Sequence, residues 1–69
     1  MAIEENEEVW APDPDGGGEI RAVFLAIAID EPIDVEGIER DGAWVSFAEG
    51  DREDTTGRVP YYKLRRRSE

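Results

Sequence analysis

Two acidic loops and a run of glycines are the first places in this chain to look for chemistry. Asp13-Pro14-Asp15-Gly16 and Asp51-Arg52-Glu53-Asp54 could each turn carboxylate oxygens toward a hard cation such as calcium. Neither extends into a full loop motif: the first lacks the later ligands and the closing bidentate Glu. About one residue in four of the chain is Asp or Glu, so acidic loops arise from composition alone. Gly16-Gly17-Gly18 could approach a phosphate, but no Lys and no helix start follows, and a flexible turn accounts for it better. Ser46, Thr55, Thr56 and Ser68 have no His anywhere in the chain to activate them, and there is no Cys for thiolate or disulfide chemistry. Paired carboxylates would need a cleft that raises one pKa, and 69 residues offer little volume for one. The expectation is a protein that is not an enzyme and holds no metal and no cofactor.

The aromatic and cationic residues are a more informative set. Trp10, Phe24, Trp44, Phe47, Tyr61 and Tyr62 cannot all be interior in so small a domain. Adjacent Tyr61 and Tyr62 would point to opposite faces of a strand, which leaves one of them exposed. Exposed Tyr and Trp beside Arg is the residue mixture of binding hot spots, and the same groups stack on single-stranded nucleic acid. A Tyr ring covering a sheet edge with its hydroxyl in water is the structural alternative.

Charge is divided unevenly. The chain carries 18 acids and 8 bases, a formal −10. Residues 1–57 hold 17 acids against three bases (Arg21, Arg40, Arg52), net −14, whereas residues 58–69 hold Arg58, Lys63, Arg65, Arg66 and Arg67 against Glu69, net +4. Three consecutive Arg could contact phosphates. A positive last strand lying among negative ones is the favoured reading, because the global charge opposes any polyanion. Seven Arg with a single Lys on an acidic surface also suggest adaptation to high salt, where the Debye length falls to about 3 Å; a GC-rich genome is the competing cause.

These residues need positioning elements, and the chain is long enough for one domain with a core worth about 3–5 kcal/mol. No run of 18 apolar residues and no charged n-region with an apolar h-region occurs, so a cytoplasmic protein is expected. Residues 1–8 read as a frayed acidic start, 9–65 as a single β domain and 66–69 as a basic tail. Val9-Trp10-Ala11 is the first stretch that can pair, and Pro12 to Gly18 is turn chemistry. Ala22 to Ile29 is a continuous apolar run expected to be mostly buried. Ile20, Val23, Phe24 and Ile27 also fit a helical period, but Val23, Leu25, Ile27 and Ile29 alternate with alanines, which favours a strand covered on both sides. Pro32 is expected to end it. Ile33-Asp34-Val35-Glu36 alternates as a half-exposed strand, Gly37 suggests a bulge, and Asp41-Gly42 predicts a tight hairpin into Ala43 to Ala48. Glu49 to Gly57 is a polar loop. The last strand is expected over Arg58 to Arg65, with Pro60 placing it at an edge or bulge. The fold class is therefore all-β, a small five-stranded antiparallel barrel or strongly bent sheet.

From Asp41 onward, Asp41-Gly42-Ala43-Trp44-Val45, a polar loop and then Gly57-Arg58-Val59-Pro60-Tyr61-Tyr62-Lys63-Leu64 resembles the second half of SH3 domains. The resemblance covers about a third of the chain. It implies an SH3-like barrel, with the family's ligand-facing Trp on Trp44 and its groove Pro on Pro60, over which proline-rich peptides lie extended. The family's Trp pair is Trp44-Val45 here, its last groove Tyr falls on Lys63, and no Ala-Leu-Tyr-Asp-Tyr segment precedes. The function expected is a small acidic module that binds another protein chain or a second copy of itself. The residues assigned to that contact are Trp44, Pro60, Tyr61, Tyr62, Lys63, Arg65, Arg66 and Arg67. Nucleic-acid binding by the same basic aromatic strand is the second reading.

Overall fold

Alternation of buried and exposed residues along the chain produces five strands and no α-helix among the residues described, 2–68 of the computed structural model. The strands are β1 (Glu8–Pro12), β2 (Glu19–Val35), β3 (Ile38–Phe47), β4 (Thr56–Pro60) and β5 (Arg65–Arg66). Two single 3₁₀ turns, Gly50–Arg52 and Tyr61–Lys63, interrupt the connections around β4. All pairings are antiparallel, in the order β4-β3-β2-β1-β5. Among the described residues no helix is long and apolar enough to cross a membrane.

The strand expected through residues 20 to 29 is present and holds the middle of the sheet. The sheet does not close into a barrel: β4 and β5 remain its two edges. With only two residues, β5 is long enough to pair β1 through Val9↔Arg66 and Trp10↔Arg65 and no further. The sheet nevertheless curls, since Val59 of β4 and Leu64 beside β5, from opposite ends of the strand order, share one core. Val9, Ala11, Ile20, Ala22, Phe24, Ala43, Val45 and Phe47 complete that core, with Ile3 and Tyr61 packed against it. Opposed positions match in size: Ala22 faces Phe47, and Ala11 faces Ile20. The apolar run is covered only in part, which corrects the expectation that it is mostly buried with cover on both sides. Alanines 22 and 28 and Phe24 are buried, whereas Ile27 and Ile29 are 40% and 77% exposed.

Four local expectations are also revised. Pro32 does not end β2; the ladder skips residues 29–32 and resumes at Ile33↔Arg40, with Asp30 taking a positive φ of 62° inside the irregular stretch. The hairpin turn sits at Glu36-Gly37, where φ is 54° and 82° as a type I′ turn requires, and Asp34 Oδ1 accepts the Gly37 N–H at 2.8 Å. Gly37 is therefore a turn residue and not a bulge. Asp41-Gly42 lies inside β3. Its glycine answers a crowded crossing, since a Cβ there would sit 2.9 Å from the Glu31 carbonyl oxygen and 3.2 Å from the Arg58 stem. Finally, Arg58 to Arg65 is not one strand, because the turn at Tyr61–Lys63 divides it. Pro60 does lie on an edge strand, β4.

Candidate protein-interaction surface

Pro60 cannot donate to a ladder, and the chain leaves β4 directly after it into the Tyr61–Lys63 turn. That turn separates the two tyrosines. Tyr61 goes inward: its ring meets Phe24 edge to face at 5.8 Å between centroids, and its hydroxyl oxygen accepts the Ile3 N–H at 3.1 Å. Tyr62 goes outward and is 53% exposed. The Arg40 guanidinium carbon lies 5.0 Å from the Tyr62 ring centre and Lys63 Nζ 5.9 Å from it. One tyrosine is exposed, as the sequence required, but a helical turn and not a strand pleat divides the pair.

The basic C-terminal residues are engaged within the molecule. Arg65 makes a two-pronged pair with Glu19, Nε to Oε2 at 2.9 Å and Nη2 to Oε1 at 2.6 Å. Arg66 Nε lies 2.7 Å from Glu7 Oε2, and its Nη2 donates to the Ala2 carbonyl. Arg67 Nη2 donates to Glu8, and the Arg67 backbone N–H donates to the Glu8 carbonyl at 3.2 Å. Arg58 approaches Glu31 at 3.7 Å. The first residues of the chain also bond into this region: the Asn6 N–H donates to the Phe24 carbonyl at 2.7 Å.

Among the described residues, Arg40 and Lys63 are the cations with no carboxylate within salt-bridge distance. Both flank Tyr62. A shallow cleft of about 460 Å³ opens beside the ring, lined by Pro12, Gly18 and Glu19 from the loop side and by Tyr62, Lys63 and Arg65 from the turn side. The Arg65 hydrogen bonds hold the Glu19 carboxyl below its ordinary value of 4.5, so this wall stays ionised at neutral pH.

Trp44 and Pro60 lie outside the lining of that cleft. Trp44 is opposite Arg58 and Pro60 opposite Gly42, so the two share the outer face of β3 and β4, both half-buried. The structure thus brings Tyr62, Lys63 and Arg65 together, commits Tyr61, Arg66 and Arg67 to internal contacts, and keeps Trp44 and Pro60 on a neighbouring part of the surface. Arg40 and Pro12 were not foreseen. Nothing near either in sequence marks it, since Arg40 is 22 positions from Tyr62 and Pro12 is 50.

The acidic loops have local employment. Asp13 Oδ1 accepts the Asp15 N–H at 2.8 Å, and Asp15 takes both Nε and Nη2 of Arg52 at 3.1 Å, which lowers its pKa. Glu49 is lowered first by the Arg21 backbone N–H that it accepts and then by the Arg21 side chain. No group of three or more Asp, Glu, His or Cys gathers as a metal site among the described residues. Comparison of the chain with protein-family models, curated proteins and solved structures gives no match.

Proposed function

We propose that this chain is a small protein-binding module that takes an extended polypeptide into the cleft between the Pro12–Gly18 loop and the Tyr61–Lys63 turn. The observation that carries this reading is Tyr62, half-exposed and bracketed by two cations that have no carboxylate partner among the described residues. A ring held between charges offers a flat apolar contact that loses little entropy on binding, while Arg40 and Lys63 select a ligand with carboxylates. The succession of strands supports an SH3-like reading: a meander of four strands, a 3₁₀ turn after the fourth, and a fifth strand returning beside the first. On that reading the ligand is a proline-rich segment in polyproline II form with acidic residues near it. A salt-rich cytoplasm is the setting it assumes.

Binding by the C-terminal strand itself has less support, since β5 is paired to β1 and Arg65, Arg66 and Arg67 are each tied to a carboxylate. The same pairs count against nucleic acid, which would have to displace them.

An NMR titration with peptide pools of proline-rich and acidic composition tests the proposal. Amide shifts should concentrate at 12–19 and 61–65, and Tyr62→Ala should weaken binding at least about tenfold. Tyr62 is exposed, so the variant keeps its fold. Shifts confined elsewhere, or affinity untouched by the substitution, reject the cleft. Tight binding of short single-stranded RNA with a steep salt slope would replace this reading with the nucleic-acid one.

A further inference from the structure

The segment 61–66 has two sides. Tyr62, Lys63 and Arg65 line the cleft, whereas Tyr61 and Leu64 pack inward and Arg66 reaches back to the first residues of the chain. Those residues hold the reverse side of the binding segment. Ile3 packs against the core, as Tyr61 does, and the Ile3 backbone N–H donates to the Tyr61 hydroxyl oxygen at 3.1 Å. Arg66 Nη2 donates to the Ala2 carbonyl, and Arg66 Nε lies 2.7 Å from Glu7 Oε2. Residues 2–7 thus grip the segment at both ends, on Tyr61 just before the exposed ring and on Arg66 just after Arg65.

A tight turn shapes the gripping residues. The Glu7 N–H donates to the Glu4 carbonyl at 3.0 Å and the Glu4 N–H to Glu7 Oε1 at 2.9 Å, with Asn6 at a positive φ of 67° on the corner. One oxygen of the Glu7 carboxylate therefore closes the turn while the other faces Arg66. Among the described residues Glu7–Arg66 is the most enclosed of the six ion pairs, its side chains 23% and 14% exposed. The hold is nevertheless light. Ile3 is the one half-buried apolar side chain of residues 2–7, an open cavity of about 540 Å³ lies among Ala2, Glu4, Glu7 and Arg66, and Arg66 Nε makes no hydrogen bond among the described residues. Few contacts need break to release such a segment, and it can open without the sheet. We propose that residues 2–7 are a strap that controls the cleft from behind. Docked, the strap fixes the Tyr61–Lys63 turn in the geometry that presents Tyr62. Released, it takes away the partners of the Tyr61 hydroxyl and the Arg66 guanidinium, and the turn loosens. A ring already fixed loses less freedom when a peptide arrives, so the docked state binds more tightly. Coupling of this kind is reciprocal: peptide in front tightens the strap behind. The inference rests on the peptide-binding reading and adds its regulation. Ile3, Tyr61 and Arg66 are positioning residues in it, since none of them lines the cleft.

NMR of the full chain tests this with three reporters. The backbone order parameter at position 3 reads the strap. Exchange of the Leu64 N–H, which closes the turn on the Tyr61 carbonyl at 3.0 Å, reads the turn, and exchange of the Phe47 N–H, donated to the Thr55 carbonyl at 2.9 Å, reads the sheet. Ile3→Asp sets a charge where the apolar anchor sits, and Tyr61→Phe removes the hydroxyl alone. Each should drop position 3 from about 0.85 to below about 0.6. Each should also speed Leu64 exchange at least about fivefold while Phe47 stays within about twofold of the parent. Affinity for a short peptide of prolines flanked by glutamates should fall at least about fivefold in both. Glu5→Ala, on an exposed residue outside these contacts, should change none of the three reporters and leave the affinity alone. Saturating the parent with the peptide should slow its Leu64 exchange. Equal affinity of the parent and both variants overturns the proposal and leaves the cleft standing, as does a position 3 that stays ordered without its apolar anchor. A parent chain that takes no peptide removes the cleft itself, and Leu64 exchange in the two variants then decides alone whether the strap holds the turn.

Discussion

Gly57 shows how little slack the core has. It sits on β4 opposite Val45, and a Cβ built there would stand 2.7 Å from Cε2 and 3.2 Å from Cζ of the buried Phe47 ring. Phe47 cannot swing aside, because Ala22 lies opposite it on β2, itself fully buried. Gly57→Ala should therefore cost about 1–3 kcal/mol as an overpacking change, even though alanine is ordinarily the milder residue in a strand. In a domain whose core supplies about 3–5 kcal/mol, that is a large share of the whole. Urea melts of the two proteins measure it; a midpoint that does not move would mean that the ring has room the structure denies it. No feature of the sequence separates Gly57 from the other glycines, because what it touches lies ten residues away on another strand. The same limit applies to Tyr62. That one of Tyr61 and Tyr62 is exposed followed from their adjacency, but which one it is, and its two cationic neighbours, depend on how β3 passes the Tyr61–Lys63 turn.

Among the elements, those with uninterrupted alternation were readable before the structure. β1 was anchored by Val9-Trp10-Ala11, and β3 was visible from Ala43 onward in the alternation of Ala43, Val45 and Phe47 with Trp44 and Ser46. The errors lie where glycine or proline was taken as punctuation. Asp41-Gly42 reads as a turn locally, yet the turn goes to Glu36-Gly37, because Val35 and Ile38 pair across it on one face while Asp34 reaches back to the Gly37 N–H. The result is a longer hairpin than expected, with a root loosened by the four unpaired residues 29–32. Local stability should follow from this geometry. In hydrogen exchange at low protein concentration, strand amides within 33–40 should exchange fastest, and those of 20–24 and 43–47, which flank the core, slowest. High salt should slow this hairpin more than the body, since residues 29–41 hold six acids against Arg40, net −5, half of the chain's −10. Hairpin amides as protected in dilute low-salt buffer as those of 43–47 would show that the unpaired root does not loosen it.

For the whole molecule the balance is between ion pairs that salt weakens and repulsion that salt relieves. Six Arg–carboxylate contacts are present among the described residues, with the groups of most of them well exposed, and such pairs are worth about 0–1 kcal/mol each at best. They occupy Glu7, Glu8, Asp15, Glu19, Glu31 and Glu49. Eleven other described carboxylates have no cationic partner, and five of these, Asp30, Asp34, Glu36, Glu39 and Asp41, crowd onto the 29–41 hairpin. Distance decides which term salt affects more. The paired groups, where the contact is of ordinary length, stand 2.6 to 3.7 Å apart, comparable to the Debye length of about 3 Å at 1 M, so part of their attraction survives. Unpaired acids spread over a body 29 by 27 by 20 Å act mostly across larger gaps, where about 10 Å of screening length at 0.1 M leaves their repulsion in force and 1 M removes it. Salt also strengthens apolar burial when the anion is excluded from the surface, in the same direction. The melting temperature should therefore climb from about 0.1 M to about 2 M potassium chloride, and neutral osmolytes at matched activity should raise it less. Scanning calorimetry at low protein concentration isolates this effect from any self-association. A melting temperature that stays level or drops would mean that the six pairs outweigh the eleven lone carboxylates, and that the acidic composition is not an adaptation to salt.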